Sequence, residues 1–235
     1  MSNLITLEAV DVDGAVREAE EGALGAAFDR GQFIKRGAVA GGSFLAAGVL
    51  FSGFMSPAQA AISTQHSSKK NDVKILNYAL TLEYLESAFY DQAVANNNFA
   101  NAEVRAFAQA VRAHEAAHVK ALRKVLGKAA VKSPKFAFGA AVTDAATFQK
   151  TAQVLEDTGV AAYAGQGPNI AQRAVVKAAL SIHSVEARHA AWIRYLNGGG
   201  AAGAATANQP APATFDKPKT ERTVLKAVAG TKFIQ

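Results

Sequence analysis

The sequence of 235 residues predicts an all-α protein whose main domain, residues 73–197, is a four-helix bundle. Half of the residues are hydrophobic, and few segments show the alternating Val, Ile and Thr pattern of strands. Four segments instead carry apolar residues at steps of three and four, which line up on one face of a helix. The connection at residues 127–146 is long enough to cross from one end of a bundle to the other.

The first two helices are predicted from their apolar stripes and their end signals. The first runs from about Val73 to Ala95, where Asn96-Asn97-Asn98 ends it. Its aligned residues are Leu76, Ala79, Glu83, Glu86 and Tyr90. The second runs from about Ala102 to Leu126, and Gly127 is a natural C-terminal cap. Its stripe is Val104, Ala108, Val111, Glu115, His118, Leu122 and Val125.

The third and fourth helices are predicted in the same way. The third runs from about Thr147 to Gly165, and the glycines and proline at residues 165–168 end it. Its aligned residues are Phe148, Ala152, Glu156, Gly159 and Tyr163. Asn169 is the predicted N-cap of the fourth helix, which ends at Asn197. Its stripe is Val175, Ala179, Ile182, Glu186, His189, Ile193 and Leu196.

These four helices contain the same arrangement of acid, tyrosine and histidine twice. Each copy has a single glutamate, a tyrosine seven residues later, and a Glu-x-x-His pair, which follows the single glutamate after 32 residues in one half and 30 in the other. The first copy comprises Glu83, Tyr90, Glu115 and His118. The second comprises Glu156, Tyr163, Glu186 and His189. Two single glutamates and two Glu-x-x-His pairs are the ligand set with which a four-helix bundle binds two metal ions.

The positions of these residues favour a dinuclear carboxylate site. Both Glu-x-x-His pairs lie within apolar stripes, where a carboxylate is costly to bury unless it is paired or coordinated. Lys and Arg are absent between Lys74 and Arg105, so two divalent cations would neutralise the four carboxylates. The sequence has no cysteine, which leaves carboxylate and imidazole ligands suited to iron, manganese or zinc. The alternative is a hydrogen-bonded polar core without metal.

Several neighbouring side chains have more than one predicted role. Tyr90 and Tyr163 are predicted to hydrogen-bond the site carboxylates or transfer electrons, and the alternative is that they are ordinary core aromatics. Glu86 competes with the single glutamate of the first copy, which is preferred because its spacing to tyrosine is repeated in the second copy. His114 and His183 lie at the edges of the stripes and are predicted to be structural or to support the ligands.

Residues 1–60 are predicted to be an N-terminal extension that ends in an export signal. An uncharged apolar run at residues 37–55 follows basic residues and precedes a small-residue cleavage site that ends at Ala60. Residues 29–35 resemble a twin-arginine signal with Gly31 in place of the second arginine. This pattern predicts a periplasmic or extracellular protein after cleavage near Ala60. The alternatives are a membrane anchor through residues 37–55 and a cytoplasmic protein.

The remaining segments are predicted to be linkers and a docking element. Residues 61–72 are a polar linker, and residues 198–214 are a flexible linker rich in Gly, Ala and Pro. Residues 215–235 are predicted to form a short helix, capped by Thr220, that packs on the bundle or on a neighbouring subunit. The net charge of +6 is dispersed along the helices, so nucleic-acid binding is not predicted.

With these residues placed, residues 70–197 resemble the ferritin-like superfamily, which includes bacterioferritin and rubrerythrin, and in particular its exported, desiccation-related bacterial branch. The resemblance rests on residues 77–86, 114–119, 152–163 and 184–190. It implies an up-down four-helix bundle with a long crossover between helices 2 and 3, and a di-iron or di-manganese centre. The ligands that it implies are Glu83, Glu115, His118, Glu156, Glu186 and His189, of which Glu115 and Glu186 bridge the two ions.

Three functions are compatible with these features. The first is a redox enzyme acting on dioxygen, peroxide or metal ions, with an external electron donor because no cofactor motif is present. The second is a non-catalytic protein that protects the cell envelope during drying, with structural metal or none. The third is iron storage, which ranks last because a leader and a Gly- and Pro-rich tail suit a closed shell poorly. Association with the envelope and with further copies of the chain is also expected.

Overall fold

A computed structural model describes residues 61–198 and 208–235 of the chain. The predicted export signal and the alternative membrane anchor at residues 37–55 lie outside the described residues. Within the described ranges, no helix is both long enough and apolar enough to cross a membrane.

The described part of the chain is helical, which confirms the predicted all-α class. Its helices are α1 (Lys69–Asn96), α2 (Ala102–Leu126), α3 (Ala140–Thr143), α4 (Ala145–Gln166), α5 (Arg173–Asn197) and α6 (Glu221–Thr231). Short 3-10 turns occupy Gly127–Ala129 and Gly167–Asn169. Helices α1, α2, α4 and α5 form the bundle, in which α1 packs mainly against α2 and α4 packs mainly against α5.

The connection between α2 and α4 crosses the whole length of the bundle along α1. At one end the side-chain amide of Asn77 donates to Ala129 O and accepts from Val131 N. At the other end the amide of Asn96 donates to Val142 O. Asn77 and Asn96 are about 28 Å apart along the helix at 1.5 Å per residue. Helices α2 and α4 therefore run in the same direction, antiparallel to α1, as the resemblance implied.

The ends of three bundle helices follow ordinary capping rules. Helix α1 begins at Lys69, four residues before the predicted start, because the Ser68 side chain accepts a hydrogen bond from Asn71 N. The Asn101 and Asp144 side chains cap α2 and α4 in the same way. Gly127 ends α2 with a φ of 54°, a conformation that favours glycine, so this predicted cap is confirmed.

The start of α5 differs from the prediction. Asn169 lies in the preceding 3-10 turn, and the residue before the helix, Gln172, makes no side-chain cap. The backbone N–H groups of Ala171 and Gln172 instead donate to the carboxylate of Asp72, at 2.8 and 3.0 Å. Asp72 lies in the first turn of α1 and is fully buried. One acid in α1 thus fixes the position at which α5 enters the bundle.

The two ends of the bundle have different cores. Aromatic rings fill the end at which α4 begins, where Phe89 stacks on Phe148 with ring centroids 5.3 Å apart. Aliphatic side chains, including Leu76, Leu122 and Ile182, fill the other end. Val125, predicted to be on the α2 stripe, is 57% exposed, and Leu126 is buried in its place. The buried glutamates and histidines lie between these two apolar regions.

The C-terminal segment packs on the bundle in this structure. Thr220 caps α6 by accepting a hydrogen bond from Thr223 N, and Val224 and Val228 are buried. Just before α6, Lys219 N donates to Ala161 O of α4. A Cβ atom on Gly165 would lie 1.9 Å from Lys219 O, so this close approach requires glycine.

Candidate metal centre

Each of the four bundle helices contributes to one buried polar cluster. Helices α1 and α4 each supply a single glutamate, and α2 and α5 each supply a Glu-x-x-His pair, whose residues share a helix face because they are three apart. The four glutamates of the cluster have no exposed surface, and His189 is 2% exposed. They are Glu83, Glu115, Glu156 and Glu186.

The cluster contains two overlapping groups of four side chains, and in each group one nitrogen or oxygen atom per residue lies within 4.8 Å of the others. The first group is Glu83, Glu115, His118 and Glu186. The second is Glu115, Glu156, Glu186 and His189. Glu115 and Glu186 belong to both groups and therefore lie between the two positions. The structure thus brings all six predicted residues together, and their binding of metal stays a prediction.

Both histidines of the cluster turn the same ring nitrogen toward the carboxylates. The Nδ1 atom of His118 lies 3.2 Å from Glu83 Oε2, 3.3 Å from Glu115 Oε2 and 3.1 Å from Glu186 Oε1. The Nδ1 atom of His189 lies 3.2 Å from both Glu115 Oε1 and Glu156 Oε2. An imidazole carries at most one hydrogen on Nδ1, so one proton cannot serve all the surrounding oxygens.

His114 contacts the other side of the His189 ring. Its Nδ1 atom lies 2.8 Å from Nε2 of His189, and the two rings stack with centroids 5.1 Å apart. A histidine that binds metal through one nitrogen commonly uses its other nitrogen to hydrogen-bond an outer partner, which fixes the ring orientation. His114 therefore has the position of such a partner. This agrees with the predicted alternative in which it supports the ligands.

The two tyrosines connect the halves of the cluster crosswise. The Tyr90 hydroxyl of α1 donates to Glu156 Oε1 of α4, and the Tyr163 hydroxyl of α4 donates to Glu83 Oε1 of α1, both at 2.5 Å. Burial raises the pKa of both tyrosines well above the usual value, so each keeps its proton and acts as a donor. Their predicted hydrogen bonds to site carboxylates are therefore present.

Most carboxyl groups of the cluster hold their protons tightly in the absence of metal. Burial, followed by the charge of Glu115, raises the pKa of Glu83 to about 8. Burial also raises the pKa of Glu156 and raises the pKa of Glu186 well above its usual value. Two divalent ions would replace these protons, so metal binding is expected to release protons.

Glu115 and the two histidines show the opposite balance. Burial disfavours the charge of Glu115, but hydrogen bonds with His118 and His189 outweigh it and lower its pKa to about 2. Burial likewise opposes the charge of each histidine, and the facing carboxylates outweigh it. They raise the pKa of His118 to about 12 and that of His189 to about 10. Without metal, both histidines therefore carry a proton on the nitrogen that faces the carboxylates, and bound metal ions would displace it.

The donor atoms fit a pair of metal ions. Glu186 Oε2 is buried with no hydrogen bond or ion pair among the described residues. Glu115 Oε1 and Glu186 Oε1 each face one histidine nitrogen, at 3.2 Å from His189 Nδ1 and 3.1 Å from His118 Nδ1. A buried carboxylate oxygen without a partner is destabilising by about 1–3 kcal/mol or more. The oxygens with missing or shared contacts belong to the two glutamates that lie between the metal positions. Carboxylate oxygen and imidazole nitrogen suit iron and manganese.

Glu86 is a fifth buried carboxyl group beside the cluster. The predicted charge balance between two divalent ions and four carboxylates did not include it. It is 3% exposed and lies next to Gly159, whose ideal Cβ position is 3.3 Å from Glu86 Oε1 and 3.0 Å from Glu186 Oε2. Burial, followed by the charge of Glu186, raises the pKa of Glu86 well above its usual value. A protonated Glu86 adds no charge, so two divalent ions still balance the remaining four carboxylates.

A four-helix bundle with a long crossover and a central cluster of two glutamates and two Glu-x-x-His pairs defines the ferritin-like class of proteins. Residues 71–199 match the family described as ferritin-like domain, which is more than half of the chain. The chain therefore belongs to the ferritin-like domain family. No curated protein matches the sequence.

Proposed function

We propose that this chain is an exported ferritin-like protein that binds two iron or manganese ions and uses them to reduce dioxygen or peroxide. The observation that carries the proposal is that Glu115 and Glu186 belong to both candidate metal groups and hold buried oxygens whose polar contacts are incomplete among the described residues. The single Nδ1 proton of each facing histidine cannot satisfy all of these oxygens, whereas metal ions with several coordination positions would.

The side chains divide into holding and orienting roles. Glu83 with His118 holds one ion and Glu156 with His189 holds the other, while Glu115 and Glu186 lie between them. Two such ions, when bound, can supply two electrons by rising from the divalent to the trivalent state, which reduces dioxygen with two protons to hydrogen peroxide, or hydrogen peroxide with two protons to two waters.

The residues around the ligands hold the ligand side chains in place. The hydroxyls of Tyr90 and Tyr163 bind one oxygen of each single glutamate, which leaves the other oxygen for metal. His114 fixes the ring of His189. The chain has no cysteine and therefore no thiolate-bound iron of its own, so the electrons that restore the divalent ions come from an external donor.

Metal analysis tests the proposal directly. We expect protein purified without chelator to contain two redox-active metal ions per chain, and Glu115→Gln to lose most of both because it removes one charge from each group. The control is Glu103→Gln, an exposed acid in the same helix. Metal content by mass spectrometry and oxygen uptake after addition of ferrous iron give the answer. A folded, metal-free protein that is indifferent to Glu115→Gln would overturn the proposal.

The exported setting is supported by the sequence of residues 1–60, and protection of the envelope during oxidative or drying stress is the role proposed there. Fractionation of bacteria that express the full chain, with N-terminal sequencing, tests the location. We expect mature protein beginning near Ala61 outside the cytoplasm. A full-length cytoplasmic product would contradict export, and a full-length membrane-bound product would support the anchor instead.

A metal-free structural role is the second candidate. It is favoured by the crossed tyrosine bonds and by the raised pKa of Glu83 and Glu156, which together let the cluster fold with protons in place of metal. The same metal analysis separates the two candidates. Light scattering measures the number of chains in the proposed homo-oligomer. A large closed particle would support iron storage, the third function that the sequence allows.

A further inference from the structure

An apolar cavity of about 140 Å³ lies in the aliphatic end of the bundle, between all four bundle helices. Aliphatic side chains dominate its wall, among them Ile75, Ala79, Leu82, Leu122, Ala162 and Ile182. The proposed metal chemistry assigns this cavity no role.

The inner end of the cavity lies against the candidate metal centre. Leu82 directly precedes Glu83, and Leu122 and Ile182 are four residues from His118 and Glu186. Four residues are about one helical turn, or roughly 5.4 Å along the axis. Tyr163 lines the cavity and also donates to Glu83, so one side chain touches both.

The polar atoms around the cavity offer little to water. The Tyr163 hydroxyl is engaged by Glu83, and the Gln166 side-chain oxygen accepts from Asn169. The Tyr78 hydroxyl, also on a lining residue, is buried with no partner in the part of the chain that the structure describes, and it supplies one hydrogen-bonding group. A stable buried water usually makes about three hydrogen bonds, and an apolar cavity of about 150 Å³ stays dry and binds benzene or xenon. The cavity therefore suits one small apolar molecule.

The outer end of the cavity reaches the surface between α2 and α5. Ala121 and Val125 of α2 and Ala174 of α5 line the cavity and are also exposed to solvent. The small alanine side chains leave space between the two helices and present no polar side-chain atoms there. An uncharged apolar molecule can therefore enter the cavity from solvent along a wall without charged side chains and lie beside the centre.

We propose that this cavity is the entry chamber for dioxygen, and hence that dioxygen is the oxidant of the centre rather than peroxide. Dioxygen needs no hydrogen bonds and loses little on leaving water for an apolar cavity. Hydrogen peroxide has two O–H donors, and burying such groups unpaired costs several kcal/mol each. Metal ions are also excluded from this route, because burying an unpaired charge costs far more than burying an unpaired hydroxyl. This inference rests on the proposed function of the metal centre.

The first part of the test measures the cavity in metal-free protein. We expect xenon to bind there, seen as a saturable change in the ¹²⁹Xe chemical shift, and we expect Ala79→Leu to abolish it by filling the space. The control is Ala95→Leu, an exposed alanine in the same helix. Because Ala79 is buried and Leu could impair folding, Ala121→Trp at the open end, with exposed Ala113→Trp as its control, gives a second pair. Absence of xenon binding in the wild type overturns the proposal.

The second part uses metal-loaded protein and separates this inference from the proposed function. We expect Ala79→Leu and Ala121→Trp to raise the KM for dioxygen several-fold and to leave kcat unchanged. Oxygen uptake with an unaltered KM overturns the entry route and leaves the proposed function standing. A metal-loaded wild type that consumes no dioxygen but reacts with peroxide overturns dioxygen as oxidant. A protein that binds no metal overturns both.

Discussion

The two halves of the centre differ at the residue one helical turn after the single glutamate. Three residues after the single glutamate, the first half has Glu86 and the second has Gly159. The missing side chain at Gly159 leaves room for two carboxyl groups, since an added Cβ atom would lie 3.0 Å from Glu186 Oε2 and 3.3 Å from Glu86 Oε1. Glycine in a helix interior lowers stability by roughly 0.5–1 kcal/mol relative to alanine. Its presence here is explained by the space that Glu186 needs.

Gly159→Ala should therefore weaken metal binding without weakening the fold. The new methyl group displaces Glu186, and overpacking of this kind costs about 1–3 kcal/mol. If that cost falls on the metal-bound state, metal affinity drops by roughly one to two orders of magnitude. Metal titration of the chelated protein measures it. Gly230→Ala in α6, where an added Cβ meets nothing within 4 Å, is the control and should bind metal normally.

His114→Ala should lower the affinity for one metal ion more than for the other. His114 contacts only the His189 side of the centre, through the 2.8 Å contact with Nε2. Removal of an outer partner of a ligating histidine typically lowers metal affinity by about 10–100-fold. Stepwise titration should show one weakened and one nearly unchanged site, while His66→Ala, an exposed histidine, changes neither. Equal weakening of both sites would contradict this assignment.

At the level of elements, the contact between Asp72 and the start of α5 joins two helices that are distant in sequence. The Asp72 carboxylate accepts three hydrogen bonds, from Ala171 N, Gln172 N and Gln172 Nε2. It takes the role that an N-cap side chain would have and orients α5 against α1. The Glu-x-x-His pair of α5 depends on that orientation, because α5 supplies Glu186 and His189.

Asp72→Ala should destabilise the protein by about 2–6 kcal/mol, because it leaves two backbone N–H groups unpaired at about 1–3 kcal/mol each. Urea unfolding monitored by circular dichroism measures the change. Asp91→Ala is the matched control, since its ion pair with Arg112 is half exposed on both sides and such pairs contribute about 0–1 kcal/mol. Similar losses in the two variants would show that Asp72 is not a special contact.

Local sequence signals predict most of these elements and miss those that depend on distant partners. The stripe and the Gly127 cap of α2 are local, and the bounds of α2 agree with the prediction. Asn169 was the wrong cap for α5 because the true partner, Asp72, lies about 100 residues away. Glu86 was placed on the α1 stripe only as a competitor of Glu83, and the burial of both together was not predicted. The stripe of α1 does not reveal that Gly159 of α4 leaves space for a second carboxyl group.

For the molecule as a whole, the centre exchanges protons for metal, so the pH dependence of stability should differ between the metal-free and the metal-loaded protein. In metal-free protein the pKa of Glu83 is raised from 4.5 to about 8, that of His118 from 6.5 to about 12, and that of His189 from 6.5 to about 10. The folded chain therefore binds more protons than the unfolded chain above pH 4.5 for Glu83 and above 6.5 for the histidines.

Stability falls with rising pH wherever the folded state binds more protons than the unfolded state. The metal-free protein should thus lose stability continuously between about pH 5 and 9. Glu115, whose pKa is lowered to about 2, acts in the opposite direction only below its ordinary value of 4.5 and does not alter this window. Metal affinity rises over the same range because bound ions replace the protons, so the metal-loaded protein should not show the decline.

Thermal unfolding of chelated and metal-loaded protein at pH 5, 7 and 9 tests this prediction. The Tm of the chelated protein should fall at each step, and the gap between the two forms should widen. Glu83→Gln provides the control, because an amide does not titrate and should flatten the decline below about pH 8, leaving the part that the histidines contribute. A Tm of the chelated protein that rises with pH would show that the cluster is not held together by protons.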